Sequence, residues 1–166
     1  MPAKEIVIRT GHPDETVAVG RALGARAEPG DVLALAGGLG AGKTVFVKGL
    51  AQGLGVDPSA EVTSPTFVLI TEYAGRLMLY HVDAYRLKGA ADWAALGADE
   101  VLFGEGVCVI EWADRVADCL PAERLDVAFA IEGEWTRRIT LRTAAPRWAS
   151  RWPVVARMLD AAALSG

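Results

Sequence analysis

The sequence predicts an α/β fold: three layers built on a mixed, mostly parallel sheet with antiparallel hairpins. Three observations carry that prediction. A short apolar run, Val32-Leu33-Ala34-Leu35-Ala36, leads into a glycine-rich turn and then into a helical stripe, the order in which a helix packs back on a buried strand. Two further β-rich runs end in acids, Leu77 to Asp83 and Val107 to Glu111, with helical stretches between them. Finally, two pairs of β-rich runs are joined by links too short for a parallel crossover, so each pair must form an antiparallel hairpin.

In chain order, Glu5 to Ile8 reads as a first strand. Pro13-Asp14-Glu15 opens a helix, with proline at its start and acids in its first turn, where the unpaired N–H groups favour negative charge. After the central strand and loop, Val45, Phe46, Leu50, Ala51 and Leu54 recur at helical spacing, and Gly53 and Gly55 end that helix. The runs Phe67 to Tyr73 and Leu77 to Asp83 flank the link Ala74-Gly75-Arg76 and form the first hairpin. Ala90 to Leu96 and Ala98 to Leu102 are short helices divided by Gly97, and Ala113 to Leu120 is another. Leu125, Val127, Phe129 and Ile131 alternate strictly, and Gly133 turns the chain into Ile139-Thr140-Leu141, the second hairpin. A last helix after Pro153 lines up Val155, Leu159 and Ala162. No repeat or linker interrupts the chain, so residues 1–166 read as one domain with an arginine-rich segment and a helix from about residue 143.

Gly37-Gly38-Leu39-Gly40-Ala41-Gly42-Lys43-Thr44 fits G-x-x-x-x-G-K-[ST], the phosphate-binding loop, at every required position. Glycines let backbone N–H groups turn inward around a phosphate without Cβ clashes, and the helix start adds unsatisfied donors and positive dipole. Lys43 then reaches the β- and γ-phosphates, and the Thr44 hydroxyl binds magnesium. A glycine-rich turn that binds nothing has no use for the Gly-Lys-Thr order. The chain is therefore expected to bind a nucleotide, with Gly38, Leu39, Gly40, Ala41, Gly42, Lys43, Thr44 and Val45 around its phosphates.

Such a loop needs an acid for magnesium at a strand end, and Asp83 and Glu111 are the two candidates. If the strand ending at Asp83 runs parallel to the 32–36 strand, it points at the phosphates, and Ser64-Pro65-Thr66 lies at the same rim. One acid holds the metal and the other orients the attacking water; the residues leave open which. Thr63, Ser64 and Thr66 offer hydroxyls on a loop that Pro65 extends, a segment able to order around the γ-phosphate and release after hydrolysis. His81 shares a strand face with Asp83 and reads as a hydrogen-bonded support. Trp112, beside Glu111, is placed for contact with the nucleotide.

Composition narrows the class. Half the residues (52%) are hydrophobic and 23% are charged, as in a folded globular chain rather than a disordered one. The start has no apolar signal core and no stretch is long enough to span a bilayer, so the protein is expected in the cytoplasm, off the membrane. Cys108 and Cys119 are too few for a disulfide framework and have no ligand set around them for zinc. Charge is uneven: Asp92 to Glu134 holds eleven acids against Arg115 and Arg124, whereas Trp135 to Arg157 holds six arginines and no acid. Those arginines, interleaved with Trp135, Trp148 and Trp152, read either as a solvated face or as a contact with tRNA or an acidic partner.

Four segments, Gly38 to Thr44, Thr63-Ser-Pro-Thr-Phe67, His81-Val-Asp-Ala-Tyr-Arg86 and Glu111-Trp112, together resemble the bacterial TsaE-type ATPases of tRNA threonylcarbamoyladenosine modification. The resemblance spans about residues 5 to 142. It implies a small mixed α/β P-loop NTPase fold, ATP as nucleotide and magnesium as metal. It also implies Lys43 and Thr44 on phosphates and magnesium, Thr66 in a switch-like loop, Asp83 in a Walker-B-like role, Glu111 as a magnesium ligand and Trp112 near the nucleotide. The implied partners are the tRNA threonylcarbamoyltransferase and its inactive paralogue. Gly38 stands where the family commonly has an acid, and Val45 where it has a second threonine; neither removes a contact assigned above.

The alternative is a small-molecule P-loop kinase. A kinase needs an acceptor pocket and a lid of arginines, and the arginine-rich stretch lies after the last hairpin, a poor place for a lid. A GTPase would carry an Asn-Lys-x-Asp segment, which is absent from the sequence.

Overall fold

The structure, a computed structural model, describes residues 3–63 and 69–164, with side chains to residue 161. Among these residues seven strands form one sheet: β1 (Lys4–Thr10), β2 (Val32–Gly37), β3 (Ile70–Tyr73), β4 (Leu79–Asp83), β5 (Val107–Glu111), β6 (Leu125–Ile131) and β7 (Arg137–Thr143). Their spatial order is β1-β7-β6-β2-β5-β4-β3. The inner strands β6, β2, β5 and β4 are parallel, and β3, β7 and β1 pair antiparallel outside them. Both expected hairpins are present. Phe67 and the segment Ser64-Pro65-Thr66 lie outside the described residues.

The chain lays α1 (Pro13–Ala25), α2 (Lys43–Gly53) and α6 (Trp152–Leu164) on one face of the sheet. Leu33, Leu35, Val109, Leu125, Val127 and Leu141 meet Leu23, Phe46, Leu50, Val155 and Leu159 there in the larger core; the side chain of Ala162 lies outside the described residues. On the other face, α3 (Ala90–Leu96), α4 (Ala98–Leu102) and the 3-10 helix Ala113–Cys119 cover Val32, Ala34, Val82, Cys108 and Ile110. This third layer stops at the parallel strands. The outer faces of β7 and β1 present Arg138, Arg142 and Val7 to solvent, as antiparallel strands with one covered face can. A four-residue helix that the sequence reading did not anticipate, α5 (Pro146–Ala149), precedes α6 and buries Trp148.

Two pairs of glycines fix how α2 sits. Gly20 and Gly24 of α1 face Gly49 and Gly53 of α2, and a Cβ at any of the four would collide with backbone of the opposite helix: Phe46 O, Leu50 O, Val17 O and Arg21 O respectively. The helices meet backbone to backbone, a close approach only glycine permits. That contact and the T-shaped pair Phe46–Phe129 (5.6 Å between ring centres) hold the start of α2, and with it Lys43 and Thr44, against the carboxyl end of the sheet.

Candidate nucleotide site

β2, β4 and β5 end together, and β4 is in register with β5 so that Asp83 lies opposite Glu111. Side-chain alternation sends His81, Asp83 and Glu111 to the α2 face, alongside Leu33 and Leu35. Beyond β2, the loop makes its turns at glycines with positive φ, Gly40 at 77° and Gly42 at 105°, where side chains would be strained. Gly37 sits so close to Phe129 that a Cβ would lie 2.8 Å from its carbonyl oxygen. Gly38 and Leu39 are exposed, Leu39 strongly (86%). Ala41 is buried, Gly42 caps α2, and Val45 is half-buried on its first turn.

Lys43 is buried at the loop mouth. Its Nζ donates to Gly37 O (2.6 Å) and Gly38 O (3.0 Å) and lies 3.8 Å above the centre of the Trp112 ring. An ammonium has three N–H donors; the two carbonyls engage two. Burial lowers the Lys43 pKa from 10.5, opposed by the negative charges of Glu111, then Asp114 and Asp83. Thr44 Oγ1 is 3.0 and 3.1 Å from the two oxygens of Glu111. Behind Glu111, the fully buried His81 holds Oε2 through Nε2 at 2.5 Å; its Nδ1 has no hydrogen-bond partner among the described residues. Asp83 Oδ1 accepts the Tyr85 N–H at 2.9 Å.

Trp112 is the one non-glycine residue with positive φ among the described residues (φ 59°, ψ 36°). An aromatic there costs about 1–3 kcal/mol, and the turn it makes from β5 into the 3-10 helix puts its ring over Lys43. Tyr85 packs on it at 4.9 Å between ring centres, and Arg115 lies 4.9 Å from the Tyr85 ring. Sequence reasoning missed Tyr85 and Arg115; their position next to Asp83 and Trp112 was the signal that could have found them. Thr66 lies outside the described residues.

The structure redirects two of the six arginines. Arg147 and Arg151 are not free for tRNA or an acidic partner: they turn inward at the amino end of β2. Arg151 donates to both oxygens of the fully buried Asp31 (2.8 and 2.7 Å), reaches Glu28 at 2.6 Å and stacks on Trp148. Arg147 bonds Pro29 O and lies 3.6 Å from Asp31. Arg137 is spent on carbonyls of the β6–β7 turn and on Gly40 O, and Arg138 lies 3.7 Å from Glu132.

Magnesium bound beside phosphates takes one or two protein oxygens and keeps its remaining positions for water and phosphate. Thr44 and Glu111, already within hydrogen-bond reach of each other, are a hydroxyl and a carboxylate of the right chemistry. The arrangement thus defines a phosphate-loop protein: an open α/β sheet, a glycine loop at the carboxyl end of its central parallel strand, and a lysine, a threonine and two acids around the loop. The profile of one family, described as threonylcarbamoyl adenosine biosynthesis protein TsaE, matches residues 10–139, and the chain belongs to the TsaE family. It is 45% identical to a Bacillus subtilis protein named tRNA threonylcarbamoyladenosine biosynthesis protein TsaE, over 87% of this chain and 90% of that one. A Treponema pallidum protein of the same name is 47% identical over 76% of this chain and 93% of its own. The crystal structure of Bacillus subtilis YdiB superposes with a TM-score of 0.82 at 40% identity, covering 95% of this chain and 97% of that one. No described helix is long and apolar enough to cross a membrane.

Proposed function

We propose that this protein binds and hydrolyses ATP with magnesium, and that it supports tRNA threonylcarbamoyladenosine formation through the threonylcarbamoyltransferase and its inactive paralogue in the cytoplasm. The observation that carries the proposal is the meeting of Lys43, Thr44 and Glu111 at the carboxyl end of β2 and β5, on a chain whose family is TsaE.

Each residue has a part. The loop N–H groups from Gly38 to Val45 hold the phosphate oxygens, and Lys43 adds its remaining N–H and its charge to the β- and γ-phosphates. Thr44 and Glu111 hold magnesium, which when bound neutralises charge on the phosphates. His81 fixes the carboxylate of Glu111 from behind. Asp83, opposite Glu111 in register, would orient the attacking water or help to hold the metal, the two roles that an acid at this strand end can take. Trp112 closes the lysine side of the site. Thr66 and its loop respond to the γ-phosphate. The kinase alternative is weaker: the arginine-rich stretch is a poor place for a lid, and its Arg147 and Arg151 serve Asp31 at the far end of β2.

Among the described residues there is one phosphate loop, which suits a timer whose nucleotide state sets affinity for a partner. The test measures ATP turnover with and without the threonylcarbamoyltransferase and its paralogue, and partner affinity with ADP, with a non-hydrolysable ATP analogue and with no nucleotide. Slow turnover that the partners stimulate, together with state-dependent affinity, is expected. Unstimulated turnover with equal affinity in all three states leaves an ATPase and sinks the timer.

A further inference from the structure

β1 is an outer strand of the sheet. β7 pairs with one of its edges, and among the described residues no strand pairs with the other. An unpaired edge presents a row of N–H and C=O groups that another strand can meet, and proteins blunt such edges with short strands, bulges, proline or charge. β3, at the opposite side of the sheet, is blunted by its length of four residues. β1 is longer: Lys4-Glu5-Ile6-Val7-Ile8-Arg9-Thr10 contains no proline and pairs with β7 in unbroken register, from Lys4 opposite Thr143 to Thr10 opposite Arg137. Charge is its remaining guard.

Those charges are placed symmetrically about Val7 with opposite signs. Laid antiparallel on a second copy with Val7 opposite Val7, the strand sets Glu5 against Arg9, Ile6 against Ile8 and Lys4 against Thr10. Residues directly opposite in an antiparallel pair share a face, and opposite charges there attract. Glu5, Val7 and Arg9 lie on the face that the third layer leaves uncovered, where Val7 is 45% exposed. Pairing would put an apolar centre between two Glu–Arg contacts. Ile6 and Ile8 alternate to the helix face, where Ile8 is buried but Ile6 only half-buried at the rim of the larger core; the Ile8 of a second copy would cover it. Arg9 Nε lies 3.2 Å from Glu132 of its own chain, which leaves two Nη groups for another carboxylate. Sliding the pair by two residues, the shift that keeps the faces, sets Val7 against Glu5 or Arg9 instead, so the charges also specify the register.

We infer that β1 is a self-association edge, through which a second copy of this chain continues the sheet across a twofold axis at Val7. Such a contact uses the same patch on both copies, closes at a dimer and leaves neither β1 edge unpaired. β1 pairs antiparallel with β7, β7 antiparallel with β6, and β6 parallel with β2, so β1 runs in the direction of β2. In the dimer the two phosphate loops therefore lie at opposite ends, clear of the contact, and association needs no nucleotide.

Sedimentation of the parent, Glu5→Arg and Arg9→Glu, each alone and the two variants mixed, tests this. The parent should dimerise in the micromolar range. Glu5→Arg alone sets arginine against arginine at both charged pairs, and Arg9→Glu alone sets glutamate against glutamate. Each variant should therefore self-associate about tenfold more weakly or worse. Mixed, the two variants oppose arginine to glutamate at both pairs, and native mass spectrometry, which separates them by mass, should find heterodimer at near-parental affinity. That rescue distinguishes a lost contact from a lost fold. A parent that stays monomeric into the high micromolar range overturns the inference and leaves the edge to a strand of another protein. Parental self-association in either variant alone, or a mixture that forms no heterodimer, overturns it as well.

Discussion

At the amino end of β2, Asp31 is wholly buried and every strong partner it needs is in place: two bonds from Arg151, one from the Glu28 N–H, and Arg147 close by. At the carboxyl end of the same strand, Lys43, Glu111 and His81 are buried as well, with partners of another kind. Lys43 leans on two carbonyls of its own loop, and Glu111 holds a threonine hydroxyl and a histidine. Burial of charge is costly at both ends. At the amino end the cost is offset internally, which makes a brace. At the carboxyl end capacity is left over for an anion and a cation, which makes a site.

The comparison breaks most visibly under mutation of the brace. Arg151→Ala should cost about 3–5 kcal/mol of unfolding free energy, because it leaves Asp31 buried without its main partner. Arg147→Ala, on a more exposed side chain, should cost about 1 kcal/mol or less. Denaturant titration reads both. Nucleotide affinity should be untouched in each; a parallel loss would show the two ends of β2 to be coupled. At the other end the signs reverse: Glu111→Gln and Asp83→Asn should each cut ATP turnover by about 10²-fold or more, near 2.7 kcal/mol of activation energy, with smaller losses in binding. Parent turnover in either variant, measured with the partners present, would make that residue a bystander.

A subtler difference is in titration. Burial holds the Lys43 pKa below 10.5, and a bound phosphate, being an anion, pushes it back up. Binding therefore takes up a proton wherever free Lys43 has lost one. Nucleotide affinity should be full below the lowered pKa and fall as pH rises through it, at a lower pH than an ordinary lysine would set. Affinity followed from neutral to alkaline pH reads this; a profile breaking no earlier than 10.5 would contradict it.

Much of the carboxyl end was legible because its constraints are local. The glycine spacing, the lysine and threonine after it, and apolar runs ending in Asp83 and Glu111 are each readable from a few neighbouring residues, and the three-residue link after Tyr73 was enough to turn one strand against the next. The amino end was not legible. Nothing in Arg147 or Arg151 says that they fold back onto Asp31, 120 residues before Arg151, so their charge read as a surface field. The bond from His81 to Glu111 depends on the register between two strands, and the seating of α2 depends on glycines 20, 24, 49 and 53 meeting across two helices. Pairings of that kind exist only once the chain has folded.

The central claim is that the carboxyl end of β2 is open for a nucleotide, and the direct measurement is the melting shift that magnesium ADP produces in the parent and in Lys43→Ala. At a hundredfold excess over its dissociation constant, the nucleotide should stabilise the parent by about 2.7 kcal/mol. The same ligand concentration should stabilise Lys43→Ala far less, since the variant lacks the one loop side chain that carries positive charge to the phosphates. Equal shifts in the two proteins, or none in the parent, would contradict the account.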